Sequence, residues 1–114
     1  MIDTSITEEV LSLTFNGDSF PMTTGISPEK IKLFDPKNTG GIKRIIEKGE
    51  TKLVVIDGCL SIIDIVNAVV AILAVRKRKR LNIVVCIIHQ DPVNITGAIW
   101  EKNPENVIKY LKRA

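Results

Sequence analysis

The sequence predicts an α/β protein, a small three-layer sandwich built on a mainly parallel sheet. Two short apolar runs carry that expectation, KLVVI at 52–56 and IVVCII at 83–88, both of the kind buried on two faces. Between them lies a segment from Ser61 to about Lys79, too long for a strand and long enough for a helical crossover. Two such strands joined through a helix form a parallel βαβ unit. With 114 residues, the chain is expected to be one domain, 1–114. Its 45% hydrophobic and 25% charged content argues against disorder.

The elements follow in chain order. Residues 1–36 carry the weakest pattern and are left without a firm assignment. Within them Val10, Leu11, Leu13 and Phe15 suit a short strand, and Asn16-Gly17-Asp18 is turn chemistry leading to Phe20. Ser27-Pro28-Glu29 resembles a helix start, which would put Ile31 and Phe34 on one helical face. From Thr39, the spacing of Ile42, Ile45 and Ile46 predicts a helix with Lys and Arg on its other face and Gly49 as its stop. The strand 52–56 ends at Asp57-Gly58. In the long helix, Asp64, Asn67, Ala68, Ala71, Ala74 and Arg78 form one narrow polar and small stripe, which leaves the Ile, Val and Leu face for the sheet. Asn103-Pro104-Glu105 opens a terminal helix with Val107, Ile108 and Leu111 as its apolar stripe.

Composition excludes some functions. Two cysteines without a secretory leader point away from a disulfide scaffold and towards a reducing, cytoplasmic setting. One histidine and no close cysteine pair leave no His/Cys zinc site, and no metal or cofactor is expected. The apolar stretch 53–75 and its basic flank have the length of a membrane span, but Asp57 and Asp64 would each cost roughly 2.5–3.5 kcal/mol near a bilayer centre, so no membrane partner is expected. No G-x-x-x-x-G-K-[ST], G-x-S-x-G or G-x-G-x-x-G occurs. The net charge of +3 alone does not prove nucleic-acid binding.

Two groups of residues could carry chemistry. In open α/β sheets, ligands collect at the carboxyl ends of the strands. There the chain offers Asp57 after the first apolar strand and His89-Gln90-Asp91 after the second. Such a set could hold Mg²⁺ through a carboxylate; its plainer reading is a helix cap at Asp57 and a loop start at His89. The second group is Arg76, Lys77, Arg78, Lys79 and Arg80, which closes the long helix where its dipole favours cations. Five consecutive cations could also neutralise several phosphates of DNA or RNA. Cys59 and Cys86 read as buried small hydrophobes, and Trp100 as a packing residue.

Residues 52–110 resemble the second half of the RecA-type core of the FtsK/HerA-like DNA-pumping ATPases. KLVVID (52–57) resembles their Walker B strand, with Asp57 in the magnesium-water position. RKRKRLNIVVCIIHQDP (76–92) resembles the basic turn, strand and sensor, with Gln90 in the glutamine position, and ITGAIWEKNP (95–104) resembles the segment that follows. The chain departs from that family in having no Walker A loop and Gly58 where an acid usually follows. Its spacing from Gln90 to Ile95 is also short, and it reads as helix after Asn103-Pro104, where the family has a strand. The resemblance therefore implies a relative without ATP hydrolysis, in which Asp57, His89 and Gln90 are the relic of a nucleotide site. GGIKRIIEKGETKLVVI (40–56) is similar to the helix–glycine–strand segment of the ribosomal proteins that grip kink-turn RNA. That likeness would nominate Lys37, Asn38, Lys43 and Arg44 for RNA contact, although Asn38 stands where that family has glycine and its later leucine–glycine element is missing. The sequence thus leads to a non-catalytic domain that binds nucleic acid or a partner. A kink-turn-type RNA binder and a structural interaction domain, as part of a homo-oligomer or with another protein, are the alternatives.

Overall fold

The computed structural model describes residues 10–14, 30–57 and 60–113, with side chains as far as Leu111. The described strands are β1 (Val10–Leu13), β2 (Ile31–Phe34), β3 (Leu53–Ile56), β4 (Val84–Ile88) and β5 (Ile99–Glu101). They form one sheet in the order β2-β1-β3-β4-β5. Every neighbouring pair is parallel, so the expected parallel β3–β4 unit is present, with Leu53 opposite Val84 and Ile56 opposite Ile87. Helix α1 (Thr39–Glu47) connects β2 to β3, α2 (Ile62–Lys79) connects β3 to β4, and α3 (Val107–Arg113) follows β5 through a 3₁₀ turn at Pro104–Asn106.

Alternation along the strands builds two cores. Leu11, Leu13, Val54, Ile56, Val85 and Ile87 face α1 and α2, meeting Ile42, Ile46, Ile65, Val69 and Ile72. Val10, Leu53, Val55, Cys86 and Ile88 face the other way, towards Val107 and the rest of α3. This is the three-layer sandwich, with the central strands buried on both faces. The two crossovers through α1 and α2 run the same way across the sheet and pack on the same face, so they share one hand.

Helix ends follow local chemistry. Asn38 caps α1 by accepting the Gly41 N–H at 2.9 Å, and Gly49 stops it at φ +80°. Ser61 caps α2 by accepting the Asp64 N–H at 3.2 Å, so the cap is Ser61 and not Asp57.

Two expectations change, and one strand is additional. Ile31 and Phe34 lie in strand β2, not on a helix; pairing with β1 places them on opposite faces and overrides the local helix-start signal. The strand β5 carries no sequence pattern of its own, being three residues held by β4. In α2 the small stripe is partly inward: Ala68 and Ala71 are buried, whereas Ile62, Ile63, Val66 and Val70 are exposed. Small residues sit inward where α2 packs against α1 as well as the sheet. The turn expected at 16–18, the helix start at 27–29 and Cys59 lie outside the described residues.

Candidate nucleic-acid interface

Parallel strands and antiparallel crossover helices sort the candidate residues onto opposite edges of the sheet. At the carboxyl edge, the strand order reverses between β1 and β3, since the chain leaves β1 for β2 and returns to β3 on its far side. Asp57 sits at this switch point, where doubly wound sheets form a crevice. It is 3% exposed, and the Thr14 hydroxyl donates to its Oδ2 at 3.0 Å. Its own N–H donates to the Leu13 carbonyl at 3.2 Å, extending the β1–β3 ladder by one step. Thr14 was missed by sequence reasoning because nothing short of the β1–β3 pairing brings positions 43 residues apart together.

His89 and Gln90 follow β4 on the same edge, where His89 is engaged by its own turn. The Asp91 N–H donates to His89 Nδ1 at 3.1 Å, the Trp100 indole N–H donates to the His89 carbonyl at 2.8 Å, and Gln90 is exposed. The His89 ring is thus held by its own turn. Among the described residues, no group of three or more His, Cys, Asp or Glu is placed to hold a metal ion. Cys86 is buried in β4; desolvation, with the nearby Glu101 charge adding to it, pushes its thiol up to about 12. At neutral pH it is therefore a thiol, and a small hydrophobe in its packing.

Glu101 at the end of β5 behaves in the opposite sense. Burial pushes its carboxyl up, but the Asn103 N–H, the Tyr110 hydroxyl, the Asn106 amide and the Lys102 N–H outweigh it and hold the group below the usual range. This carboxylate fastens β5 to the turn and helix behind it.

The basic run lies at the amino edge, at the other end of α2, which at 18 residues is ~27 Å long. Its five cations have different duties. The Arg76 guanidinium donates to the Ile83 carbonyl at 3.0 Å and packs beside Gly97, which bracket the start of β4 and the turn before β5. Arg78 pairs with Glu47 of α1, tying the two helix ends together. Lys77, Lys79 and Arg80 are exposed and make no ion pair among the described residues. Arg80 terminates α2 at φ +54°, the only non-glycine residue with positive φ among those described.

The same edge receives the last turn of α1 with Arg44, then Lys48 and Lys52, all exposed. A shallow cavity of about 210 Å³ lies between the α1–β3 and α2–β4 connections, lined by Gly49, Thr51, Lys52, Leu81, Asn82 and Ile83. That is smaller than the ~300–1,000 Å³ of small-molecule sites. Lys43 is exposed in the middle of α1, while Lys37 and the capping Asn38 stand at the opposite, carboxyl edge. The residues nominated by the kink-turn likeness are therefore spread along the whole length of α1.

Among the described residues no helix is long and apolar enough to cross a membrane. No protein-family model matches the chain, and neither a curated protein nor a solved structure matches it.

Proposed function

We propose that this chain is a non-catalytic nucleic-acid-binding domain that grips the phosphate backbone with its amino edge. In this reading it is a Walker-A-less relative of the DNA-translocating ATPases, with Asp57 kept as a structural remnant. The observation that carries the reading is Arg80. A side chain in the left-handed region costs roughly 1 kcal/mol or more relative to glycine, the residue usually found at a helix end of this kind. Holding a cation there, beside exposed Lys77 and Lys79, is accounted for if the charge itself is used. The shallow cavity between Lys52 and Asn82 suits contact with a phosphate chain rather than enclosure of a small ligand. Phosphate contacts of this type position a backbone without reading sequence.

The test is a salt titration of binding to duplex DNA, single-stranded DNA and kink-turn RNA. Each phosphate contact contributes about 0.9 to the log–log slope on duplex, so Lys77, Lys79 and Arg80 together give about −2.7. The double variant Lys79→Ala, Arg80→Ala should flatten that slope by about 1.8 with the fold intact. Preference for duplex supports the motor-related reading, and preference for the kink-turn supports the RNA-binding one. A parent protein with a slope near zero on all three would remove the proposal.

A further inference from the structure

The outward face of α2 is apolar where a solvent face would be polar. Ile62, Ile63, Val66 and Val70 are 53%, 72%, 38% and 60% exposed. At ~150–200 Å² for each extended side chain, they present on the order of 400 Å² of apolar surface, as much as the largest patch on a typical monomer. Their order is not random. Ile63, Val66, Val70, half-buried Leu73 and Lys77 recur at alternating steps of three and four, the spacing of a coiled-coil seam. The face thus has the pattern of a surface that receives another helix.

Charge says which helix. The first turn of α2 carries Asp64, exposed Asp91 stands on the same carboxyl edge, and the last turn carries Arg76, Lys77, Arg78 and Lys79. A parallel pair of α2 helices would set two basic ends side by side. An antiparallel pair crossing at Val70 sets Lys77 of each copy beside Ile63 of the other, brings each basic last turn to the first turn of the partner helix, where Asp64 stands on the flank, and opposes the two helix dipoles favourably. We propose that α2 is the interface of an antiparallel, two-fold homodimer of this chain. The patch supplies about half of the ~800 Å² per partner found in standard interfaces, which places the dimer in the weak, reversible class. The seam meets the proposed phosphate-binding edge only at Lys77, since Lys79 and Arg80 lie beyond the crossing, so the Lys79→Ala, Arg80→Ala variant tests nucleic-acid binding without touching the seam.

Sedimentation equilibrium of the full chain should give a monomer–dimer equilibrium with a dissociation constant in the micromolar range. Val70→Glu should raise that constant at least about tenfold, equivalent to ~1.4 kcal/mol, without lowering the melting temperature of the monomer, since Val70 is already exposed. Geometry is tested by oxidative cross-linking against the parent chain as control. Val70→Cys should form a disulfide dimer, whereas Ile63→Cys should not, its two copies standing ~21 Å apart along the antiparallel pair. Ile63→Cys cross-linking as well as Val70→Cys would overturn the antiparallel arrangement. A parent that stays monomeric at high concentration, or a dimer indifferent to Val70→Glu, would overturn the interface itself. A monomer that instead pellets with anionic phospholipid vesicles through this face would replace a second copy with a lipid surface.

Discussion

At the scale of single residues, the sheet is locked by polar groups that its apolar pattern conceals. Thr14 and Asp57 are both 3% exposed, and their hydrogen bond spans the two central strands. Thr14→Val keeps the shape and removes this one donor from a buried carboxylate. It should lower unfolding free energy by about 1–3 kcal/mol in urea titrations, whereas Thr14→Ser should retain most of it. Glu101 makes a pH-dependent contribution. Its folded pKa lies below its ordinary 4.5, so its stabilisation is complete above that value and is lost as pH falls through the lowered one. The stability difference between the parent and Glu101→Gln should therefore be constant near neutrality and shrink on acidification below 4.5. A difference that grows on acidification would mean that burial, not the hydrogen bonds, dominates this carboxyl. Neither pair was legible in the sequence: Thr14 and Asp57 are far apart along the chain, and Glu101 belongs to a strand with no period of its own. Asp57 was visible as a polar end to an apolar run, but its partner was not.

At the scale of elements, legibility tracked length and capping chemistry. The helix α2 was readable from Ser61 to Lys79, and α1 from its isoleucine spacing and Gly49, because caps and periodicity act locally. Strand β2 was not, because four residues obtain their conformation from pairing with β1 rather than from propensity. The orientation of α2 was legible only in part: Ile65, Val69, Ile72 and Val75 turn inward as expected, but Ala68 and Ala71 join them because this inner face meets α1 as well as the sheet. The start of α1 gives a test of opposite signs on neighbouring glycines. A Cβ at Gly40 would stand in ordinary contact with Arg44, so Gly40→Ala should stabilise by about 0.5–1 kcal/mol through helix propensity. A Cβ at Gly41 would lie 2.5 Å from Phe34 Cζ and 2.7 Å from the capping amide of Asn38. Gly41→Ala should therefore displace the cap and destabilise by about 0.5–2 kcal/mol, seen as a lower melting temperature. The other end of the helical layer gives a second test. Arg80→Gly relieves the left-handed backbone and should raise stability by up to ~1 kcal/mol while removing about 0.9 from the salt slope. Stability and binding moving in opposite directions is the signature of a residue kept for its charge.

At the scale of the whole molecule, the parallel sheet acts as a sorting device. Every described strand points the same way, so crossover helices return their C-termini to the amino edge, and helix C-termini favour cations. Arg44, Lys48, Lys52 and the end of α2 gather there for that topological reason, while Asp57 and Asp91 stand on the opposite edge. The sequence displayed the basic run but not this separation, since two edges of a sheet are defined only once all strands are known to be parallel. The consequence is that binding should depend on where charge is removed, not on how much. Lys102 and Lys109 are exposed cations that follow β5, Lys109 on the helix behind the sheet. Lys102→Ala with Lys109→Ala removes the same two charges as Lys79→Ala with Arg80→Ala, so the two double variants share one net charge. If the amino edge is the interface, the first pair leaves the salt slope on duplex DNA unchanged and the second flattens it by about 1.8. Long-range attraction between a cationic protein and DNA would instead weaken both variants alike, and it is screened beyond ~10 Å at moderate salt. Equal flattening by the two variants would therefore reduce the basic edge to a share of net charge, and unequal flattening in the stated order would establish it as the contact surface.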